Sequence, residues 1–325
     1  MASLICLEAR DVDEQAGSLA GYRQSYVQLG RGRFHGRLLQ LVMSTGVLFR
    51  ESTNRHLRQQ VHPPRDHIAI AVPLSVEHGS HFAGRALSPE SVMVLTGDDE
   101  YEVTASGGMD LIGLSVHRHL IMDLAQDKQE WLRRAERMRH LVMAPDSAAA
   151  IRTTLLARLG QADGVVAVSE EPPSLERRVL TSTLAQTVTL AMSGEDHTSS
   201  IPRRAETRLR VVNRAVDFLR AHLHDDIGTA EICRAACASR RSLQYCFEEF
   251  LHTTPQAYLR ALRLNEARRR LKGGDDVQIT FIASELGFNS ASHFTRQYRS
   301  MFDELPSETL RSARDSWGQL SRGVR

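Results

Sequence analysis

The stretch from Ile279 to Tyr298 constrains this chain most, because its pattern fits two short helices around a glycine and little else. Ile279, Ile282, Ala283 and Leu286 recur at the i, i+3, i+4, i+7 spacing of one helical face, and Gly287 stands where a helix ends in a left-handed residue. Phe294, Tyr298 and Phe302 then repeat every four residues on a second helix. That spacing buries one stripe and turns Ser292, His293, Thr295, Arg296 and Arg299 outward. A helix with such a free face has the size and chemistry to enter the major groove of DNA.

The same arrangement occurs earlier. Ile232, Ala235 and Ala236 form the apolar side of one short helix, Ser239 offers an N-cap, and Leu243, Cys246, Phe247 and Phe250 form the inner stripe of the next. Arg240, Arg241, Gln244 and Tyr245 fall on its outer face. Two helix-turn-helix units in one chain can read two successive major-groove segments if a spacer holds them about one DNA turn apart. Thr254 and Pro255 make an N-cap and first-turn pair, Gly273-Gly274 ends the segment, and Tyr258, Leu259, Leu262, Leu264, Ala267 and Leu271 can face the two units. A helix from Thr254 to Lys272 would be roughly 28 Å long at about 1.5 Å per residue. Half-sites one turn apart lie about 34 Å from each other, and DNA bending can adjust the difference.

From about Arg208 to Arg311 the chain resembles the DNA-binding domain of the AraC/XylS family of transcription regulators. Thr253-Thr254-Pro255-Gln256-Ala257-Tyr258-Leu259 and Arg263-Leu264-Asn265-Glu266-Ala267-Arg268 fall in order at that family's spacing. The resemblance implies a seven-helix domain with two recognition helices, usually controlling a nearby operon as an activator and recruiting RNA polymerase. By position, the base-facing candidates are Arg241, Gln244 and Tyr245 in the first unit, and Ala291, Ser292, His293 and Arg296 in the second; Arg240, Ser290 and Arg299 complete the DNA-binding set. Cys237, His252 and Asp303 stand where the family commonly has glycine, so local differences are expected in those turns. Ala291 carries no hydrogen-bonding side chain, which shifts base reading toward Arg296 and backbone contacts.

Charge divides along the chain. Residues 203–325 hold 21 Lys and Arg against 15 Asp and Glu, whereas residues 1–202 hold 20 against 24. The basic part can approach phosphates and the acidic part is not expected to bind DNA by itself. The length suits two domains, each with its own core. The expected organisation is 1–192 for effector sensing or dimerisation, a linker over 193–207, the double helix-turn-helix domain over 208–312 and a tail over 313–325. Met1 to Glu14 lack the features of a signal peptide, and no apolar run approaches a membrane span, so a cytoplasmic protein without membrane contact is expected.

Between Gly36 and Val116 short apolar runs alternate with turn residues: Leu38 to Met43, Val47 to Arg50, Ile68 to Leu74, Val92 to Thr96, Tyr101 to Ala105 and Leu111 to Val116. Short strands without intervening helices predict an antiparallel sheet or barrel. Leu175, Val179, Leu184, Val188 and Ala191 predict a later helix, packed on the barrel or against a second copy of the chain. This half resembles the cupin-like sensor domains of the same family. Arg31-Gly32-Arg33-Phe34-His35-Gly36 with Phe49-Arg50-Glu51 is similar to the subgroup containing the ethanolamine-operon regulator. The expected fold class is therefore α+β: an amino-terminal cupin-like antiparallel β-barrel with helices, then an all-α domain with two helix-turn-helix units joined by a long helix. The resemblance implies an unknown small-molecule effector in or beside the barrel and assigns no lining residue.

Other chemistry finds little support. His62, His67, His78 and His81 lack the spacing of a metal-binding cupin, so neither metal nor cofactor is expected. Cys233, Cys237 and Cys246 could suggest a thiol sensor or metal clip, but Cys233 and Cys246 fall on inner faces where a small apolar residue is wanted. Gly113-Leu114-Ser115-Val116-His117 lacks the second glycine of a nucleophile elbow, and Gly30-Arg31-Gly32 is too short for a phosphate loop. The leading expectation is a ligand-responsive activator with double-stranded DNA, RNA polymerase, an effector and a second copy of the chain as candidate partners. A constitutive or repressing DNA-binding protein whose first domain only dimerises is the alternative, and an enzyme with a DNA-targeting tail stands far behind both.

Overall fold

A computed structural model describes residues 2–163, 173–194, 203–273 and 278–322. The chain divides into two compact units, one comprising Met1–Tyr26, His35–Asn54 and Arg58–Ile201, the other Val27–Phe34, Arg55–Leu57 and Pro202–Arg325.

In the first unit come β1 (Ser3–Ala9), α1 (Val12–Ala16), β2 (Arg23–Gln28), β3 (Gly36–Met43), β4 (Gly46–Thr53), β5 (Leu57–His62), β6 (His67–Val76), β7 (His81–Phe82), β8 (Arg85–Ala86), β9 (Ser91–Thr96), β10 (Tyr101–Ala105) and β11 (Met109–His117), except that the last two residues of β2 and the first of β5 belong to the second unit. Then follow α2 (Gln126–Met138), β12 (His140–Val142), α3 (Pro145–Asp163) and α4 (Pro173–Gly194). The strands form two sheets, ordered β1-β3-β4-β11-β6-β9-β12 and β2-β5-β10-β7-β8. In the larger, β11 runs antiparallel to both β4 and β6.

Period-two alternation sorts the side chains of the larger sheet onto two faces. Leu48, Ile68, Ile70, Val72, Val92, Val94, Ile112, Leu114 and Val116 join one core with Trp131 and Leu132 of α2, Ile151 and Leu155 of α3, and Leu184 and Val188 of α4. The intervening Val47, Phe49, Glu51, Ala69, Ala71, Met93, Leu95 and Leu111 are buried too, outside that core. Gly113 belongs to this second face: a Cβ there would lie 2.6 Å from Cζ of Phe49 and 3.1 Å from Cβ of Ala71.

The expected closed barrel does not form. Among the described residues the outer strands of the two sheets remain unpaired with each other. Closure needs strands long enough to carry the ladder around, whereas β12 has three residues and β7 and β8 two each. The six expected strands are present as β3, β4, β6, β9, β10 and β11. β2 (RQSYVQ) and β5 (LRQQVH) escaped notice because their composition is largely polar. The stripe of α4 begins at Leu180, four residues before Leu184; Leu175 is 37% exposed instead of inward-facing.

His140 on β12 is buried, with Nε2 2.9 Å from Ser91 Oγ and Nδ1 without a partner among the described residues. Burial, aided by the Arg85 guanidinium, lowers its pKa to about 4. The unfolded chain therefore takes up a proton below pH 6.5 that the folded chain refuses until about pH 4, so stability falls as pH drops through that window and is complete above it. Between pH 7 and pH 5 this group alone should cost about 2 kcal/mol, at roughly 1.4 kcal/mol per unit. Urea unfolding at the two pH values should register the loss, and His140→Gln should flatten it. An equal slope in the variant would remove His140 as its source.

The second unit is helical: α5 (Arg203–Ala221), α6 (Thr229–Ala236), α7 (Arg240–Leu251), α8 (Pro255–Lys272), α9 (Ile279–Glu285), α10 (Ala291–Phe302) and α11 (Pro306–Arg322). Thr254 caps α8 by accepting from the Ala257 N–H, and Pro255 opens its first turn. α8 is buried on opposite sides. Tyr258, Leu259 and Leu262 join the core of α5, α6 and α7, while Ala261, Leu264, Ala267 and Leu271 join that of α9 and α10. Asn265, also buried, holds the Gln28 backbone from both sides, accepting from its N–H at 3.1 Å and donating to its carbonyl at 3.0 Å.

The turns at Cys237, His252 and Asp303 keep the left-handed conformation despite their side chains, with φ of 50°, 46° and 57°. The local differences expected there are absent from the backbone, and the chain carries the strain instead. Cys237→Gly should raise stability by up to about 1 kcal/mol, the left-handed penalty less the extra entropy glycine loses on folding. A thermal melt would record a rise of a few degrees. A fall would mean that the Cys237 side chain holds the turn.

Candidate nucleic-acid interface

Two helices present the exposed polar faces. α7 starts at Ser239, whose hydroxyl accepts from the Ser242 N–H, and buries Leu243, Cys246, Phe247, Phe250 and Leu251. Arg240, Arg241, Gln244 and Tyr245 are all exposed on its other side, Tyr245 at 58%. α10 starts at Ser290, whose hydroxyl accepts from the His293 N–H, and buries Phe294, Tyr298, Met301 and Phe302. Ser290, Ala291, Ser292, His293, Arg296 and Arg299 are all exposed. The candidates thus fall into two groups, one on each capped helix; those of α7 and Ser290 to His293 of α10 stand near the helix start, Arg296 in the middle of α10 and Arg299 in its last turn. N-terminal placement suits recognition, since the first turns of a groove-bound helix reach base edges.

The turn before α10 depends on its glycine. Gly287 has φ +71°, and a Cβ there would meet the Arg263 guanidinium at 2.8 Å. That guanidinium is anchored, donating from Nε to the Leu223 carbonyl at 3.0 Å and from Nη2 to the Asp225 carbonyl at 2.6 Å. Both backbone conformation and space therefore call for glycine.

Electrostatics separates structural arginines from free ones. Arg208 makes a two-pronged pair with Glu249, Arg268 pairs with Glu304, and Arg270 reaches both Glu266 and Glu285. Arg240, Arg241, Arg296 and Arg299 make no ion pair with the described residues. Their charge is available to an outside anion. His293 is engaged locally, its Nε2 2.6 Å from Gln297 Nε2.

Sequence reading missed Arg31 as part of this surface. In the second unit, Arg31 and Gly32 line an open groove of about 930 Å³ with Ser292, Arg296 and Arg299, and the Gly32 N–H donates to the Met301 carbonyl at 2.9 Å. No local pattern could reveal this, because the pairing spans most of the chain. The cysteines are all free thiols; Cys246 is buried, Cys233 half-buried, and Cys237 and Cys6 exposed. No helix among the described residues is long and apolar enough to cross a membrane.

Residues 232–312 match a family model described as a helix-turn-helix domain. The chain is similar to the probable thc operon regulatory protein of Rhodococcus erythropolis, 36% identical over 104 residues, which are 31% of each chain. It is also similar to XylDLEGF operon transcriptional activator 3 of Pseudomonas putida, 25% identical over 245 residues, covering 71% of this chain and 67% of that one. Among solved structures, a transcriptional regulator from Chromobacterium violaceum described as an AraC-type DNA-binding domain-containing protein is 31% identical, with 34% of this chain and 96% of that one covered and a TM-score of 0.32. The matched part spans about a third of the Rhodococcus protein's length. Residues 232–312 of this chain thus carry a helix-turn-helix domain similar to those of operon-controlling transcription regulators.

Proposed function

We propose that this chain is a sequence-specific DNA-binding transcription regulator that activates a nearby operon when a small molecule binds its first unit. The observation that carries the reading is the pair of N-capped helices, α7 and α10, whose exposed faces bear arginines without ion pairs among the described residues. In this reading α6–α7 and α9–α10 are two helix-turn-helix units, and α7 and α10 enter successive major-groove segments. The eighteen residues of α8 give a spacer of about 27 Å, compatible with half-sites about 34 Å apart on modestly bent DNA. Arg241, Gln244 and Tyr245 face bases from α7, and Ser292, His293 and Arg296 from α10. Arg240 and Arg299 engage phosphates, Ser290 supplies the cap, and Ala291 leaves room for a close approach.

The first unit serves as a cupin-like sensor, a role supported by two facing sheets with a cavity inside. An effector acts by binding one state of the protein more tightly than another, which shifts the population able to engage DNA. The active form recruits RNA polymerase, and a second copy of the chain can pair through the first unit. Footprinting on DNA flanking the gene, at two salt concentrations, tests the reading. Two protected segments about one turn apart, weakened by salt, would support it. Absence of any preferred sequence, both there and in selection from random DNA, would sink it.

A further inference from the structure

The segment from Val27 to Phe34 belongs to the helical unit although it comes long before the helices in the chain. It is strapped down along its length. Gln28 is 1% exposed; Asn265 of α8 clamps its backbone, and its Nε2 lies 2.7 Å from the Gly32 carbonyl and 3.1 Å from that of Met301 on α10. Leu29 packs on the apolar clusters of both sides of α8. The Gly30 N–H donates to the His56 carbonyl and the Gly32 N–H to the Met301 carbonyl, each at 2.9 Å. Both glycines are tight: a Cβ on Gly30 would stand 3.0 Å from the His56 backbone nitrogen, and Gly32 has φ +100° with the Arg55 guanidinium 2.9 Å from where a Cβ would be. Arg31, between them, is exposed.

Two grooves share Arg31. It lines one of about 930 Å³ with Ser292, Arg296 and Arg299, and one of about 430 Å³ with Arg260, Arg296 and Gln297. Arg31, Arg260, Arg296 and Arg299 are exposed and make no ion pair with the described residues. Asp303 is the one carboxylate among the described residues lining either groove. Such a surplus of positive charge draws an anion. Both glycine N–H groups are already spent within the protein, so the guanidinium meets that anion and the backbone does not.

We propose that Arg31 holds a DNA phosphate beside α10, which makes residues 27–34 a third DNA-contacting element of the helical unit. The inference rests on the DNA-binding reading above. The larger groove is open, as a continuous strand requires, and the base-reading candidates Ser292 and Arg296 line it too. A planar guanidinium matches the paired oxygens of a phosphate. The contact carries no sequence information of its own; it fixes how α10 sits in the major groove.

The test measures binding of the full-length protein to its footprinted site and to unrelated DNA of equal length, across a salt series, for wild type, Arg31→Ala and Arg37→Ala. Arg37 is exposed on β3 of the first unit and lines neither groove, so its variant removes the same charge elsewhere. Arg31→Ala should weaken binding to both DNAs about tenfold, make the salt slope shallower by about one and leave base preference unchanged, with Arg37→Ala near wild type. Arg31→Lys, which restores the charge, should recover most of the affinity, and a melt checks that each variant is folded. Replacing single phosphates of the site by uncharged methylphosphonates should reveal one that weakens wild type and makes no difference to Arg31→Ala. Wild-type affinity and slope in Arg31→Ala, or an equal loss in Arg37→Ala, would overturn the contact. Calorimetric titration with inorganic phosphate and with ATP, without DNA, separates a free phosphate ligand from the DNA backbone. Saturable binding lost in Arg31→Ala, alongside unchanged DNA affinity, would assign the groove to the free ligand and overturn the DNA contact. A preferred DNA site bound equally by wild type and Arg31→Ala spares the DNA-binding reading and removes only this contact. Absence of any preferred site in wild type removes that reading, and the unrelated DNA still decides whether Arg31 holds a phosphate.

Discussion

Leu286→Asp should unfold the α9–α10 pair. Leu286 is fully buried and packs in one cluster with Ile282, Ala283, Phe294, Tyr298 and Phe302, backed by Leu264, Ala267 and Leu271 of α8. The substitution removes a leucine worth about 1.5–3 kcal/mol of burial and places a carboxylate within a cluster of apolar side chains. The total should exceed about 4 kcal/mol, in the range reserved for buried unpaired charge. Amide exchange in α9 and α10 should accelerate and the thermal transition of the helical unit should fall. Leu286→Met, which conserves volume, should cost less than about 1.5 kcal/mol. Similar stability of the Asp and Met variants would mean that α9 does not pack on α8 as described.

Arg296→Ala should weaken specific DNA binding by about 1–3 kcal/mol and relax the preference at one base position. The residue is exposed on α10, two turns from the Ser290 cap, and makes no ion pair with the described residues. Its removal therefore leaves the fold intact, and a melt should confirm that stability changes by less than about 0.5 kcal/mol. Arg241 occupies the corresponding outer face of α7, so adding Arg241→Ala should contribute a comparable and nearly additive loss. Competition binding against operators mutated singly at each position distinguishes the roles. An altered preference at one position identifies a base contact; uniform weakening with a salt slope shallower by about one identifies a phosphate contact. No change in either would remove Arg296 from the interface.

The helical unit was legible because its determinants are local. The caps Ser239, Thr254 and Ser290 each accept a backbone N–H three residues on, and the inner stripes at Leu243, Cys246, Phe247 and Phe250 and at Phe294, Tyr298 and Phe302 follow from helical period alone. The outer candidates follow by subtraction, so they land exposed wherever the helix forms. Cys237, His252 and Asp303 mark the limit of this logic: glycine preference suggested altered turns, but packing of the flanking helices holds all three left-handed.

By itself, then, the sequence determined α6 to α10 of the second unit, their buried faces and the six apolar strands, because each of these depends on residues within a few turns or one strand. The tertiary structure decided what those strands build and what they enclose. Whether the sheets close depends on the lengths of β7, β8 and β12, and the polar strands β2 and β5 form only as members of a sheet. Glu51 accepts hydrogen bonds from Gln15 and Tyr26 across 36 and 25 residues, and Arg31 reaches the α10 groove across most of the chain. Such juxtapositions are set by long-range strand pairing and packing, which no periodicity in the sequence encodes.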